Sequence, residues 1–298
     1  MISLLAIIIC CFLYLLFRLQ HYMTRIEPLH IVTPEYEVVD ENLPETLDGL
    51  RICQISDLHS SRNWYNEVEI SKALKKVNAD LYVFTGDMIY MQEGVGVFLR
   101  WLEEMKDSLH PFILILGNAE HKPWLRDEEI FEGLKRYNDW VLINQSLTFK
   151  WKSGVLQVVG LDDPHTENDN ANIAYANTDP NKWTLLLSHS PDGIVGVGER
   201  RADLTLSGHT HGGQIRLPFI GALICNTSKT KGFVTGWFHS DEIEKRIKRK
   251  TGVKLLYVSK GLGTGNVKAR FLCNPEAPVF TLRRAPSGNG TNTIRVNA

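Results

Sequence analysis

Seven side chains of metal-binding type arrive in five short clusters: Asp57-Leu58-His59, Gly86-Asp87, Gly117-Asn118, Ser188-His189 and Gly208-His209-Thr210-His211. The last cluster is the densest. In extended backbone, residues i and i+2 face the same side, so His209 and His211 can aim at one point. The flanking Gly208 and Gly212 let the backbone come close to it. Neutral imidazole is the commonest metal ligand among side chains. One His-x-His is weak by itself, but the four other clusters also end apolar runs. Carboxylates, imidazoles and an amide oxygen form a donor set suited to Mn, Fe, Zn, Co or Ni rather than Ca. Seven donors exceed what one tetrahedral ion needs, so two divalent ions are the economical reading. A carboxylate must bridge them, and Asp87, alone at its strand end, is the candidate. Two ions a few ångströms apart activate a water and hold both oxygens of an in-line phosphoryl displacement. Asp57 and Asp87 could also cap helices, and Asn118 alone is an ordinary turn residue. Neither role accounts for the imidazoles beside them.

The elements that must position these clusters are legible from periodicity. Residues 50–56, 81–84 and 112–116 are short apolar runs ending at Asp57, at Gly86-Asp87 and at Gly117-Asn118. Between and after them, three sets recur at helical spacing: Ile70, Leu74 and Val77; Phe98, Leu102 and Met105; Ile130, Leu134 and Tyr137, with Asp127 as a cap for the third. Strands alternating with helices predict α/β units whose ligands gather at the strand C-terminal ends. The second half changes rhythm. Residues 147–151 and 155–159 read as a hairpin turning at Ser153-Gly154. Strands follow at 183–187, ending at His189, and at 203–206, ending at the His-x-His. Further short strands fall at 214–217, 232–237, 255–259 and 279–282. Pro28, Pro34 and Pro44 make residues 26–49 a connector with an opening strand. Residues 285–298, rich in Ser, Asn, Gly and Thr, are expected to be disordered.

Bulk properties bound the function. The chain has 298 residues, enough to bury a sizeable core, and a formal net charge of −1, which gives no reason to expect nucleic acid. Five cysteines, with no paired spacing, argue against a disulfide framework and against a thiolate zinc site. Residues 2–17 carry no charge, and Leu19, Tyr22 and Met23 extend the apolar stretch towards the roughly 20 residues a membrane span needs. No small-residue cleavage site follows, so residues 1–25 read as an uncleaved transmembrane anchor in preference to a signal peptide or a core helix. Arg18 and Arg25 follow the span, which orients the globular part to the cytoplasm. Lys245, Arg246, Lys248, Arg249 and Lys250 form either a solvated helix face or a contact with anionic headgroups, with Trp237 and Phe238 beside them. Ile220, Ala222 and Leu223 follow Pro218 in an apolar loop suited to dipping into lipid or lining an acyl groove.

Taken together, the five clusters resemble the motifs of the calcineurin-like metallophosphoesterases, in that family's order and spacing, across residues 50–284. Gly212-Gly213-Gln214, Gly261-Leu262-Gly263-Thr264, Arg270-Phe271 and Pro275-Glu276 look most like its membrane-anchored branch of YkuE- and YaeI-like proteins and UDP-2,3-diacylglucosamine pyrophosphatases. The resemblance implies a four-layer α/β sandwich, two mixed sheets flanked by helices. It also implies one ion held by Asp57, His59, Asp87 and His211 and a second by Asp87, Asn118, His189 and His209.

One position departs from the family pattern. The family has Gly-Asn-His-Glu or Gly-Asn-His-Asp, and its His stabilises the transition state or protonates the leaving oxygen; here the block is Gly117-Asn118-Ala119-Glu120. Ala119 can do neither. His121, two residues on, is the candidate to take over beside Asn118, although an exposed loop histidine is the simpler reading. Arg270 and Lys268 are candidate phosphate clamps. His110, His165 and His239 have no partners by sequence and read as surface residues. The expected activity is hydrolysis of a phosphodiester or pyrophosphate in a membrane-associated or lipid-linked substrate, such as a UDP-diacylglucosamine-type precursor. Its partners would be a membrane surface and that lipid, with no nucleic acid and no obligate protein partner. The competing readings are a metal-binding scaffold that has lost turnover through Ala119, and a phosphodiesterase on soluble nucleotides.

Overall fold

Sheet alternation sets the layers. The computed structural model describes residues 4–125, 127–134, 140–223, 227, 229–230, 232–265, 267–285 and 293–296. One sheet holds β1 (Glu35–Asp40), β2 (Arg51–Ile55), β3 (Leu81–Thr85), β4 (Phe112–Ile115), β5 (Val141–Leu142), β14 (Val279–Arg284) and β15 (Thr293–Val296), in the order β15-β1-β14-β2-β3-β4-β5. Its β2 to β5 run parallel, while β14 is antiparallel to β2. The second sheet holds β6 (Gln145–Trp151), β7 (Gly154–Gly160), β8 (Thr184–Leu187), β9 (Leu204–Ser207), β12 (Gly236–His239) and β13 (Leu255–Val258), in the order β12-β13-β9-β8-β7-β6.

Successive residues of each strand point to opposite faces, and both faces are buried, as parallel sheets require. Ile52, Leu81, Val83, Ile113 and Ile115 meet Leu156, Val158, Leu185, Leu187, Leu204 and Leu206 between the sheets. Their neighbours Cys53, Ile55, Tyr82, Phe84 and Leu114 face outwards onto α2 (Glu67–Leu74), α3 (Glu93–Leu109) and α4 (Asp127–Leu134). On the far side Val159, Leu186, Leu256 and Val258 pack against α5 (Ala171–Ala174), α6 (Ile194–Val197) and α7 (Ser240–Ile247). The order is helices, sheet, sheet, helices. Each fully buried Leu, Ile or Phe contributes roughly 1.5–3 kcal/mol, so these three clusters hold the layers together.

Before this sandwich stands α1 (Leu4–His21), none of it buried. With the turns that continue it to Leu29 it is long and apolar enough to cross a membrane. Those turns dock on the domain. The buried Glu27 accepts the backbone N–H groups of Leu272 and Cys273, and Arg270 N–H donates to the Met23 carbonyl at 2.9 Å.

The strand expected within residues 26–49 is β1, an interior strand between β14 and β15. Two other sequence expectations change. The 285–298 tail is not wholly disordered: β15 pairs antiparallel with β1, Tyr36 opposite Val296. Without it β1 would be an open edge of unpaired N–H and C=O groups, and Ile294 packs onto the inter-sheet core. The rest of that tail, 286–292 and 297–298, lies outside the described residues, as do Tyr137 and Cys225. Trp237 and Phe238 are not membrane anchors. Trp237 sits among Tyr36, Tyr257 and Phe280, and Phe238 is edge-on to Phe233. The basic run beside them is partly neutralised: Arg246 pairs with Glu242 and Lys250 with Glu244.

Candidate metal centre

Five parallel strands end at one place, and each delivers its cluster there. β2 ends at Asp57 and His59, β3 at Asp87, β4 at Asn118, β8 at His189 and β9 at His209 and His211. The turns that follow are strained. Asp57, His59, Asp87, His209 and His211 all have φ between 49 and 70°, where a side chain costs roughly 1–2 kcal/mol. Strain of this kind persists only where surrounding bonds impose it, and it collects at functional sites. Here Asp57 N–H donates to the Gly86 carbonyl and His59 N–H to the Asp87 carbonyl, each at 3.0 Å. Space is equally tight: a Cβ at Gly86 would lie 2.6 Å from His189 Nδ1, and one at Gly117 would strike the Asp87 carboxylate.

The donor atoms form two groups. In the first, Nε2 of His59 and Nε2 of His211 face each other at 3.0 Å, with Asp57 Oδ1 3.5 Å from His211 and Asp87 Oδ2 3.4 Å from His59. In the second, His189 Nε2 lies 3.2 Å from each of Asp87 Oδ1, Asn118 Oδ1 and His209 Nδ1. Each group has three Asp or His ligand atoms within 4.8 Å of one another, able to hold a metal ion. Asp87 presents one oxygen to each group. Ring nitrogens facing each other beside carboxylate oxygens repel unless a cation or proton lies between, so the arrangement fits divalent ions.

The electrostatics point the same way. Burial opposes ionisation of Asp87, but His189, His59 and His209 outweigh it and hold the carboxyl far below the usual range. Burial raises Asp57 despite the pull of His189, and burial with the nearby His59 pushes His211 well below an ordinary imidazole. His189 is fully buried, yet Asp87 and Asp57 lift it well above the ordinary value. Its Nδ1 donates to the Thr85 carbonyl at 2.8 Å, which turns Nε2 towards the site.

Around the ligands the structure adds residues that sequence reasoning underused. Glu120 accepts backbone N–H groups from Asp87, Ile89 and Gly117 at 2.8–3.0 Å and so clamps the β3 and β4 turns. Burial and the Asp87 charge push it up to about 8. His121 is not a lone loop histidine: Nε2 lies 2.7 Å from Asp162 Oδ1, and that bond raises its pKa despite partial burial. His165 is not a detached surface residue either. Its ring lies tilted with its centroid 4.7 Å from that of His209, and its buried Nδ1 has no hydrogen-bond partner among the described residues. Both belong to or face the loop after β7, and Asp162-Asp163 ending an apolar run was the available signal. His110 and His239 are exposed.

The two proposed clamps separate. Lys268 is exposed and lines a cleft with His59, Tyr65, Tyr90 and Thr264. Arg270 is wholly buried and donates to the carbonyls of Lys260, Gly261, Gly263 and Cys273 at 2.6–3.2 Å. Its guanidinium is spent on the loop that crosses Asp57, where Gly263 N–H donates to the Asp57 carbonyl, so it cannot clamp a phosphate.

Known proteins share this pattern. A sequence model described as calcineurin-like phosphoesterase matches residues 50–213. The chain is similar to the metallophosphoesterase YkuE of Bacillus subtilis, 29% identical over 269 residues that cover 88% of this chain and 89% of YkuE. It is also similar to the UDP-2,3-diacylglucosamine pyrophosphatase LpxG of Chlamydia muridarum, 28% identical over 80% of this chain and 86% of LpxG. A metallophosphoesterase of Aquifex aeolicus is 28% identical over 89% of this chain and 94% of its own.

Proposed function

Because the chain belongs to the calcineurin-like phosphoesterase family, and is a metal-dependent phosphoester hydrolase, we propose that it cleaves a phosphodiester or pyrophosphate in a lipid-linked membrane substrate, of the UDP-diacylglucosamine type. The observation that carries this is the Asp87 carboxylate shared between the two donor groups. Asp57, His59, Asp87 and His211 would hold one divalent transition ion, and Asp87, Asn118, His189 and His209 the other. When bound, two such ions activate water and stabilise charge on the phosphoryl oxygens. The chain supplies the rest. His121, its Nε2–H held by Asp162, delivers a proton from Nδ1 to the leaving oxygen, the role that Ala119 leaves vacant. Lys268 at the cleft offers charge to substrate phosphate. The lipid class is supported by the names of the chlamydial relatives and by the apolar α1. With Arg18 and Arg25 following the span, the domain sits at the cytoplasmic face of the cell membrane.

Full-length protein assayed with bis-p-nitrophenyl phosphate, with its metal counted, tests the core of this reading. Two ions per chain and turnover that chelation removes and Mn restores is the expected outcome. Two ions without turnover on any activated diester would establish the scaffold alternative that Ala119 favours. The lipid assignment needs a lipid-extract profile of a deletion strain. Accumulation of no phosphorylated lipid would refute it and leave the soluble-nucleotide reading.

A further inference from the structure

We propose that a platform beside the anchor, formed by the hairpin of β10 (Arg216–Leu217) and β11 (Gly221–Ala222) with the loop 267–272, lies in the bilayer surface and presents the cleft beside His59 to the lipid. This rests on the reading of α1 as a membrane span and deepens the lipid assignment. The hairpin tip carries Phe219, fully exposed, and Ile220 at 71%, with Leu223 at 54% just after β11. Val267 and Leu272 add two more side chains at 51%. Large apolar residues exposed singly are ordinary, but a contiguous set marks an interaction surface.

These residues belong to one bonded unit. Arg216 N–H donates to the Phe271 carbonyl at 2.9 Å and Phe271 N–H to the Gln214 carbonyl at 2.8 Å. The Gln214 amide donates to the carbonyls of Val267 and Ala269. The same loop is tied to the end of the anchor: Arg270 to Met23, Leu272 and Cys273 to Glu27, and Phe271 edge-on to Tyr22 at 6.4 Å. Whatever buries the exposed apolar α1 therefore lies within reach of the platform. For a helix long and apolar enough to span, that is lipid hydrocarbon. The exposed Arg25 and Lys268 at its margin suit anionic headgroups.

The metal centre is fastened to the platform as well. Cys273 Sγ donates to the His211 carbonyl at 3.3 Å, and Gly265 N–H to Gln214 Oε1 at 3.0 Å. Thr264, Gly265 and Lys268 form one wall of the cleft whose other wall holds His59 and Tyr90. A phosphate at headgroup depth could reach the first ion while its acyl chains stay in the membrane.

The experiment uses full-length protein in phosphatidylcholine–phosphatidylglycerol vesicles, with photoreactive p-benzoylphenylalanine in place of Phe219, Leu223 or, on the outer face of the second sheet, Ile173. Flotation of the vesicles reports anchoring separately. Floating protein with lipid adducts at 219 and 223, and none at 173, is expected. Floating protein with no lipid adduct at 219, or with adducts only to a second copy of the chain, overturns the platform and leaves the anchor standing. Protein that fails to float overturns the anchor, and the platform with it.

Discussion

The two donor groups share Asp87 but are built differently. Around the second, His189 is wholly buried, its Nδ1 is locked to the Thr85 carbonyl, and Asn118 closes the group. In the first, the buried Nδ1 atoms of His59 and His211 have no hydrogen-bond partner among the described residues, and His59 forms part of a cleft wall. Outer hydrogen bonds orient a metal-binding imidazole and raise its basicity. The second group is therefore the more preorganised as a cation site, while the first opens onto the cleft. The candidate proton donor His121, with Asp162, and the His165 ring beside His209 lie on the side of the closed group.

Breaking the shared residue should have the largest effect. Asp87→Asn removes the charge shared by the two proposed cation sites, worth several kcal/mol of transition-state stabilisation in a di-metal hydrolase. Turnover should fall by about 10³-fold or more, with loss of at least one ion per chain by elemental analysis. Two tightly held ions and an unchanged rate would sink the assignment of both groups.

His121→Ala tests the closed side. A positioned acid is worth about 10²–10⁴-fold, so turnover of alkyl phosphodiesters should fall by that order, while nitrophenyl esters, whose leaving group needs no proton, barely change. The pH profile carries a sign. Asp162 raises the His121 pKa, so the acid form survives above the ordinary histidine value of about 6.5 and is lost as pH rises through the raised pKa. The alkaline limb for alkyl esters should sit above that value, and Asp162→Asn should draw it down. A limb that does not move assigns the proton to another group.

The open side depends on the loop that Arg270 holds. Arg270→Lys forfeits most of the carbonyl contacts of a buried cation, each hydrogen bond to a charged group being worth about 1.5–3 kcal/mol. Chemical denaturation should show a loss of several kcal/mol, with affinity for the first ion lowered. A rise in KM at full stability would instead make Arg270 the phosphate clamp. With the wild-type protein, graded chelation should remove one ion before the other, at about 10–100-fold different chelator strength. Selective line broadening of His59 and His211 at the first step would place the weaker ion in the open group.

Ala119→His should have the smallest effect. With His121 supplying the proton, a second acid adds less than about tenfold on alkyl esters and leaves metal content alone. A gain far beyond that would mean the acid was missing and not relocated.

Local sequence carried the candidate donor residues and most of the elements. Asp57, His59, Asp87, Asn118, His189, His209 and His211 were readable because each follows an apolar run, and a strand end is a local feature. β3, an apolar run, and the hairpin of β6 and β7, two runs joined at Ser153-Gly154, were readable for the same reason. What depends on partners distant in the chain was not readable. Arg270 and Lys268 stand two residues apart with similar charge, yet one faces carbonyls in the interior and the other a cleft, because Gly261, Gly263 and Cys273 fold over the first. His165 looked unattached until the loop after β7 brought it onto His209. The tail looked too polar to order, and it pairs because β1 needed an edge partner. Composition and period fix which residues can act and where strands end. Strand order decides which of them meet, since parallel pairing of β2 with β3 and of β8 with β9 brings ligands from opposite halves of the chain to one end of the sandwich.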